Sequence, residues 1–215
     1  MSRFIYLHGM ASSPRSKKAL AFGKFFANQG WSLEIPELEE EGFENLTLSG
    51  QMKVVQSIFE NHPGETFGLI GSSLGGYLAA LTGEYRKEVA AVYLMAPAFG
   101  FLPRWRVKIS EIYGKGQIPE WIEVFHFRYN ESKRLSTRIF QDAEKWEAIA
   151  FKRKYPSRIV HGIYDDSVPI EESRRFSNSR AYVDLIELNS DHGLLSHLDW
   201  IITDCVDFFR KKELL

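Results

Sequence analysis

The sequence has a single cysteine, Cys205, in 215 residues. A lone thiol forms no internal disulfide, so nothing calls for an oxidising compartment, and no Cys/His cluster has zinc spacing. Charge of one sign is also missing: 27 Lys and Arg face 28 Asp and Glu, a formal net charge of −1. That balance leaves no electrostatic footprint for nucleic acid or an anionic membrane surface. The longest apolar runs fall far short of the ~20 residues of a spanning helix, so no membrane span is expected. The opening MSRFIYLHGM lacks the charged leader and long apolar run of a signal peptide. A cytoplasmic location is the resulting expectation. Internal repeats, low-complexity tracts and long linkers are absent too.

What is present is an ordinary globular composition, 44% hydrophobic and 14% aromatic. The length suits one domain, residues 1–215, with a substantial core. Apolar, β-branched or aromatic runs predict strands at 3–7, 31–35, 66–70, 89–95, 158–160 and 182–188. Between them, helical spacing is read at 17–28, 48–61, 74–85 and 199–210; Leu48, Met52, Val55 and Phe59 recur on one face of the second. The acidic stretch 37–43 reads as a solvated loop. Strands alternating with helices point to an α/β fold: a mostly parallel sheet with helices on both faces. Residues 97–156 break the alternation, being about twice the length that a βαβ crossover needs. This aromatic-rich stretch is expected to be a helical, cap-like insertion over the sheet edge rather than a second domain. Phe99, Phe101, Trp105, Phe125, Phe127 and Phe140 are candidates for an apolar pocket or lid, or simply for core beneath the insertion.

Gly71-Ser72-Ser73-Leu74-Gly75 matches G-x-S-x-G. A strand turning sharply into a helix leaves the central serine at the tip, and side chains at the flanking glycines would crowd that turn. The helix N-terminus beneath it favours developing negative charge. The pattern alone is weak, but it sits between a predicted strand and a predicted helix. A phosphate loop is disfavoured because no lysine follows the glycines. Ser73 is therefore the candidate nucleophile, and a serine needs an adjacent base.

His192, in Asn189-Ser190-Asp191-His192-Gly193, follows the last predicted strand and is the candidate base, ahead of His197. The acid is sought in His161-Gly162-Ile163-Tyr164-Asp165-Asp166. Its spacing from Gly162 and to Val168-Pro169 favours Asp165, with Asp166 left as a turn or cap residue. Backbone N–H groups of Leu74 and Met10 are the candidate oxyanion donors, Met10 following His8-Gly9 after the first strand. His8 reads as a residue bracing that loop.

Together these motifs resemble the α/β-hydrolase superfamily, and the opening Tyr-Leu-His-Gly-Met-Ala-Ser-Ser-Pro-Arg-Ser is similar to small bacterial esterases of the YqiA type. The resemblance spans nearly the whole chain. It implies a sheet lacking the first N-terminal strands of the full fold. It also implies a Ser73–Asp165–His192 triad and hydrolysis of small-molecule carboxylic esters or thioesters, with no metal or organic cofactor. A non-catalytic binding protein of the same fold and an acyltransferase are the alternatives. No oligomeric state is read from the sequence.

Overall fold

Residues buried on alternating sides set the strands of the central sheet. In β1 (Ser2–Leu7), Ile5 and Leu7 pack into one apolar cluster while Phe4 and Tyr6 pack into another across the sheet. The same alternation divides Leu94 from Tyr93 and Met95 in β4 (Val89–Met95). Side chains on a strand point alternately to the two faces, so a strand apolar throughout needs cover on both.

A computed structural model describes residues 2–215. It contains a six-stranded sheet in which every paired neighbour runs parallel, in the order β2-β1-β3-β4-β7-β8. The remaining strands are β2 (Leu33–Glu34), β3 (Thr66–Ser72), β7 (Ser157–Gly162) and β8 (Val183–Leu188). Helices α1 (Lys17–Asn28) and α7 (Leu198–Arg210) cover one face through Phe22, Phe26, Phe208 and Phe209. Helices α2 (Leu48–Asn61) and α3 (Leu74–Tyr85) cover the other. Each large apolar side chain sealed there contributes about 1.5–3 kcal/mol over leaving it exposed.

Local signals explain where the helices start. Ser16 accepts a hydrogen bond from Ala19 N–H (3.3 Å) at the head of α1, and Thr47 accepts one from Gly50 N–H (3.0 Å) at the head of α2. Helix α3 is buried from Leu74 to Gly83, as a helix apolar all round must be. The strand read at 31–35 is shorter in the structure, pairing with β1 only at Leu33 and Glu34. It is an edge strand, and Pro36 lacks the N–H to extend it.

Residues 97–156 differ more from the sequence reading. They hold α4 (Phe101–Tyr113) and α5 (Arg138–Glu147), but also an antiparallel hairpin of β5 (Trp121–His126) and β6 (Glu131–Ser136). The insertion is therefore not purely helical. In β5, Ile122 and His126 are buried while Glu123 and Phe125 are exposed, the period-two alternation of a half-covered strand. Charged residues in β6 mask its partner, in which only Leu135 and Ser136 are buried. Asn130 closes the turn in a left-handed conformation, φ 55°. The sequence α6 (Ile170–Asn178) lies between β7 and β8.

Strand order reverses between β1 and β3: from β1 the chain goes outward to β2, then returns to the other side of β1. In open parallel sheets, ligands bind beyond the carboxyl ends of the strands at such a switch. Met10 and Ser73 follow the two strands there.

Candidate active site

The turn from β3 to α3 is held tightly. Ser73 has φ 54° and ψ −120°, a strained conformation for a residue with a Cβ. Its N–H donates to Met95 O (2.9 Å), and its carbonyl accepts from the N–H groups of Gly76 (2.9 Å), Tyr77 (3.1 Å) and Ala98 (3.0 Å). A Cβ on Gly71 would meet the Gly75 backbone, and one on Gly75 would run into the Leu7 and His8 carbonyl oxygens. Backbone packs against backbone there, which explains the two glycines.

Ser73 Oγ lies 3.0 Å from His192 Nε2, and His192 Nδ1 lies 2.7 Å from Asp165 Oδ2. A carboxylate oxygen can only accept, so Nδ1 carries the proton and Nε2 presents a lone pair to the Ser73 hydroxyl. The three residues follow the carboxyl ends of β3, β7 and β8, so each is anchored by a strand of the main sheet. The Asp165 side chain is fully buried, whereas that of His192 is 26% exposed. An imidazole between a buried carboxylate and a hydroxyl can take the hydroxyl's proton as the oxygen attacks.

Asp165 accepts four hydrogen bonds. Oδ2 takes His192 Nδ1–H and His161 Nε2–H (3.0 Å); Oδ1 takes the N–H groups of Ser167 (2.9 Å) and Val168 (2.7 Å). Burial works against its charge, but the hydrogen bonds from His161, His192 and Val168 prevail and hold the carboxyl well below its usual range. Asp166 is exposed and accepts only from Ser167 Oγ–H (3.1 Å).

His161 was noted in the sequence only as the lead into the acid's loop. It is fully buried, with Nε2 facing two acceptors, Asp165 Oδ2 and Val168 O (2.9 Å), and Nδ1 at 2.7 Å from Ser173 Oγ. Nε2 is therefore the protonated nitrogen, and the Ser173 hydroxyl donates to Nδ1. The available signal was its place four residues before Asp165. Lys18 carries no sequence signal that places it near the site. From α1 its Nζ donates to Gly193 O (2.9 Å), beside His192. Burial lowers its pKa to about 8 against the pull of Asp191 and Asp165.

Ser73 and His192 open into a cavity of about 820 Å³, also lined by Met10, Leu74, Trp105 and Phe127. That size suits a small-molecule ligand. The N–H groups of Leu74 and Met10 donate to no protein acceptor among the described residues. The insertion's aromatics divide between two roles. Phe101, Trp105, Phe125 and Phe127 reach the cavity wall, whereas Phe99 stacks on Phe176 and Phe140 packs against Phe101 and Trp105. His197 meets Ser196 Oγ, not Ser73. Among the described residues no helix is long and apolar enough to cross a membrane.

Known proteins place the chain. Bovine palmitoyl-protein thioesterase ABHD10, a mitochondrial protein, is 26% identical over 94% of this chain and 72% of its own length. Est1E of Butyrivibrio proteoclasticus, solved with ferulic acid bound, superposes with TM-score 0.83 at 19% identity over 100% of this chain and 90% of that one. Mouse alpha/beta hydrolase domain-containing protein 10 gives TM-score 0.75 at 23% identity over 97% of this chain and 89% of that one. At these identities the structural likeness is one of fold, and it bears out the α/β-hydrolase resemblance read from the motifs. The model of the uncharacterised protein family UPF0227 matches residues 3–209, from the first strand to the end of the last helix, and the chain belongs to that family.

Proposed function

We propose that the protein is a serine hydrolase that cleaves carboxylic esters or thioesters through an acyl-enzyme. The observation that carries this reading is the chain of hydrogen bonds from Ser73 Oγ through His192 to the buried Asp165, opening on a cavity. In this mechanism Ser73 Oγ attacks the acyl carbonyl while His192 Nε2 takes its proton. Asp165 holds the imidazole in the required tautomer and stabilises the imidazolium. The oxyanion rests on the N–H groups of Leu74 and Met10, one at the head of α3 and one after β1. His192 then gives its proton to the leaving alcohol or thiol. Water, deprotonated by the same imidazole, releases the acid and restores Ser73.

The names of similar proteins support the reaction class. One is a palmitoyl-protein thioesterase, and another holds ferulic acid. The wall formed by Phe101, Trp105 and Phe127 suits an apolar acyl group. Residues 97–156 act in this reading as a cap on a single domain.

Hydrolysis of p-nitrophenyl acetate and butyrate by wild type and Ser73→Ala tests the proposal. Wild type should turn the esters over and be labelled by a fluorophosphonate probe; the variant should do neither. Undiminished turnover by Ser73→Ala would refute the nucleophile. No turnover of esters or acyl thioesters, with no labelling, would refute the hydrolase reading.

A further inference from the structure

Ala11 follows Met10 and has φ 54°, a left-handed conformation that is costly for a residue with a Cβ. Such a backbone persists only where its surroundings hold it. The restraint comes from the insertion: Phe127 N–H, in the turn between β5 and β6, donates to Ala11 O (2.9 Å).

That turn is itself seated on a buried pair. His126 Nε2 lies 2.9 Å from Glu39 Oε2, their side chains 0% and 5% exposed. Arg128 N–H donates to His126 Nδ1 (3.3 Å), which leaves Nε2 as the protonated nitrogen facing the carboxylate. The Phe43 ring packs edge-on against the imidazole, centroids 4.8 Å apart, and Arg128 pairs with Glu37 at 2.8 Å. The acidic stretch read as a solvated loop thus sends Glu39 inward. Burial raises the Glu39 carboxyl against the lowering pull of His126.

A third link closes the circuit. Leu38 N–H donates to His8 Nε2 (3.3 Å), and His8 Nδ1–H donates to Gly9 O (3.0 Å). Residues 8–11, 37–39 and 126–128 are therefore joined pairwise around Met10. The proposed chemistry uses neither Glu39 nor His126, yet both are buried and polar beside the loop it depends on.

We infer that the Glu39–His126 pair positions the oxyanion loop, by seating the β5–β6 turn whose Phe127 N–H holds Ala11. This rests on the reading of Met10 N–H as an oxyanion donor. Phe125 and Phe127 of the same hairpin line the cavity. In that reading the hairpin that lines the acyl site also holds the loop carrying the oxyanion donor. Glu39 and His126 are positioning residues, not catalytic ones.

The test compares wild type, Glu39→Ala and Glu39→Gln. Outright loss of an oxyanion donor costs roughly 10²–10³ in rate, and a slackened one should cost about 10–100-fold in kcat for Glu39→Ala. KM for p-nitrophenyl butyrate should rise by less than kcat falls: Phe125 and Phe127 of the same hairpin line the cavity, but the oxyanion donor acts on the tetrahedral state. Affinity for a boronic acid, whose serine adduct is tetrahedral, should fall in parallel with kcat. Gln keeps an acceptor for His126 Nε2–H, so Glu39→Gln should recover most of the rate. Amide hydrogen exchange of residues 8–12 should quicken in Glu39→Ala while that of 66–76 does not. If Glu39→Ala folds poorly, His126→Phe, which keeps a ring but removes the donor to Glu39, serves in its place. Unchanged exchange at 8–12, or quickened exchange with kcat held, would overturn the inference; so would a loss confined to KM. Should wild type neither turn over ester nor label at Ser73, the hydrolase reading has failed. Exchange at 8–12 then still decides whether the pair holds the loop.

Discussion

Asp165→Asn is the substitution whose consequence the structure specifies most fully. The carboxylate accepts from two imidazoles on Oδ2 and from two backbone N–H groups on Oδ1. Asparagine can keep only one oxygen. If that oxygen stays with Ser167 and Val168, the amide NH₂ faces His161 and His192. His192 then has to accept on Nδ1 and carry its proton on Nε2, where it can no longer deprotonate Ser73. The equivalent change in a Ser-His-Asp protease costs ~10⁴ in kcat, about 5.4 kcal/mol of barrier. If the amide turns the other way, the N–H groups of Ser167 and Val168 lose their acceptor; Ser167 is exposed and can turn to water, but Val168 is buried, at ~1–3 kcal/mol in stability. Either outcome is measurable, one in kcat and the other in Tm. Asp166→Asn is the control: Asp166 is exposed and has only the Ser167 hydroxyl, so kcat should stay within about twofold. The assay is steady-state hydrolysis of p-nitrophenyl butyrate with thermal unfolding of each variant. Equal mild losses in the two variants, at native Tm, would refute the assignment of Asp165.

Acid should act through the same residue. Its carboxyl is held below the usual range in the native state, so its contribution is present above ~3.9 and lost as pH falls through the native value. Urea unfolding of wild type should weaken below about pH 4 by a component that Asp165→Asn lacks. His161→Leu removes a donor from Asp165 and strands the Ser173 hydroxyl; a loss of about tenfold in kcat and a lower Tm are expected, read by kinetics and calorimetry. Lys18 holds its native proton less tightly than an unfolded lysine would, its pKa being about 8. Stability should therefore rise between about pH 8 and pH 10, and denaturant titrations should find that rise missing in Lys18→Met. Gly75→Ala would drive a Cβ into the Leu7 and His8 carbonyls; a loss of at least ~3 kcal/mol in denaturant unfolding is expected.

Periodicity and end signals were enough to find most of the sheet and its helices. Lys17–Asn28 has a serine cap before it and a glycine after it, and β1, β4 and α3 are long, apolar and bounded by turn residues. The β5–β6 hairpin was not legible because only one of its strands alternates, and its packing against loop 37–43 decides that alternation. Glu39 reads as solvent-exposed in a run of glutamates; its burial follows from a histidine 87 residues away.

By itself, then, the sequence determined the alternation of buried strands and helices and the glycine-flanked turn at Ser73, because these depend on neighbours in the chain. It also supplied the order in which Ser73, Asp165 and His192 occur. Tertiary structure alone decided that their side chains meet, that His161 and not Asp166 attends the buried carboxylate, and that the aromatic insertion is partly wall and partly core. Those outcomes depend on strand order, which carries the ends of β3, β7 and β8 to one edge of the sheet. No spacing along the chain encodes a distance of 3.0 Å between residues 119 positions apart.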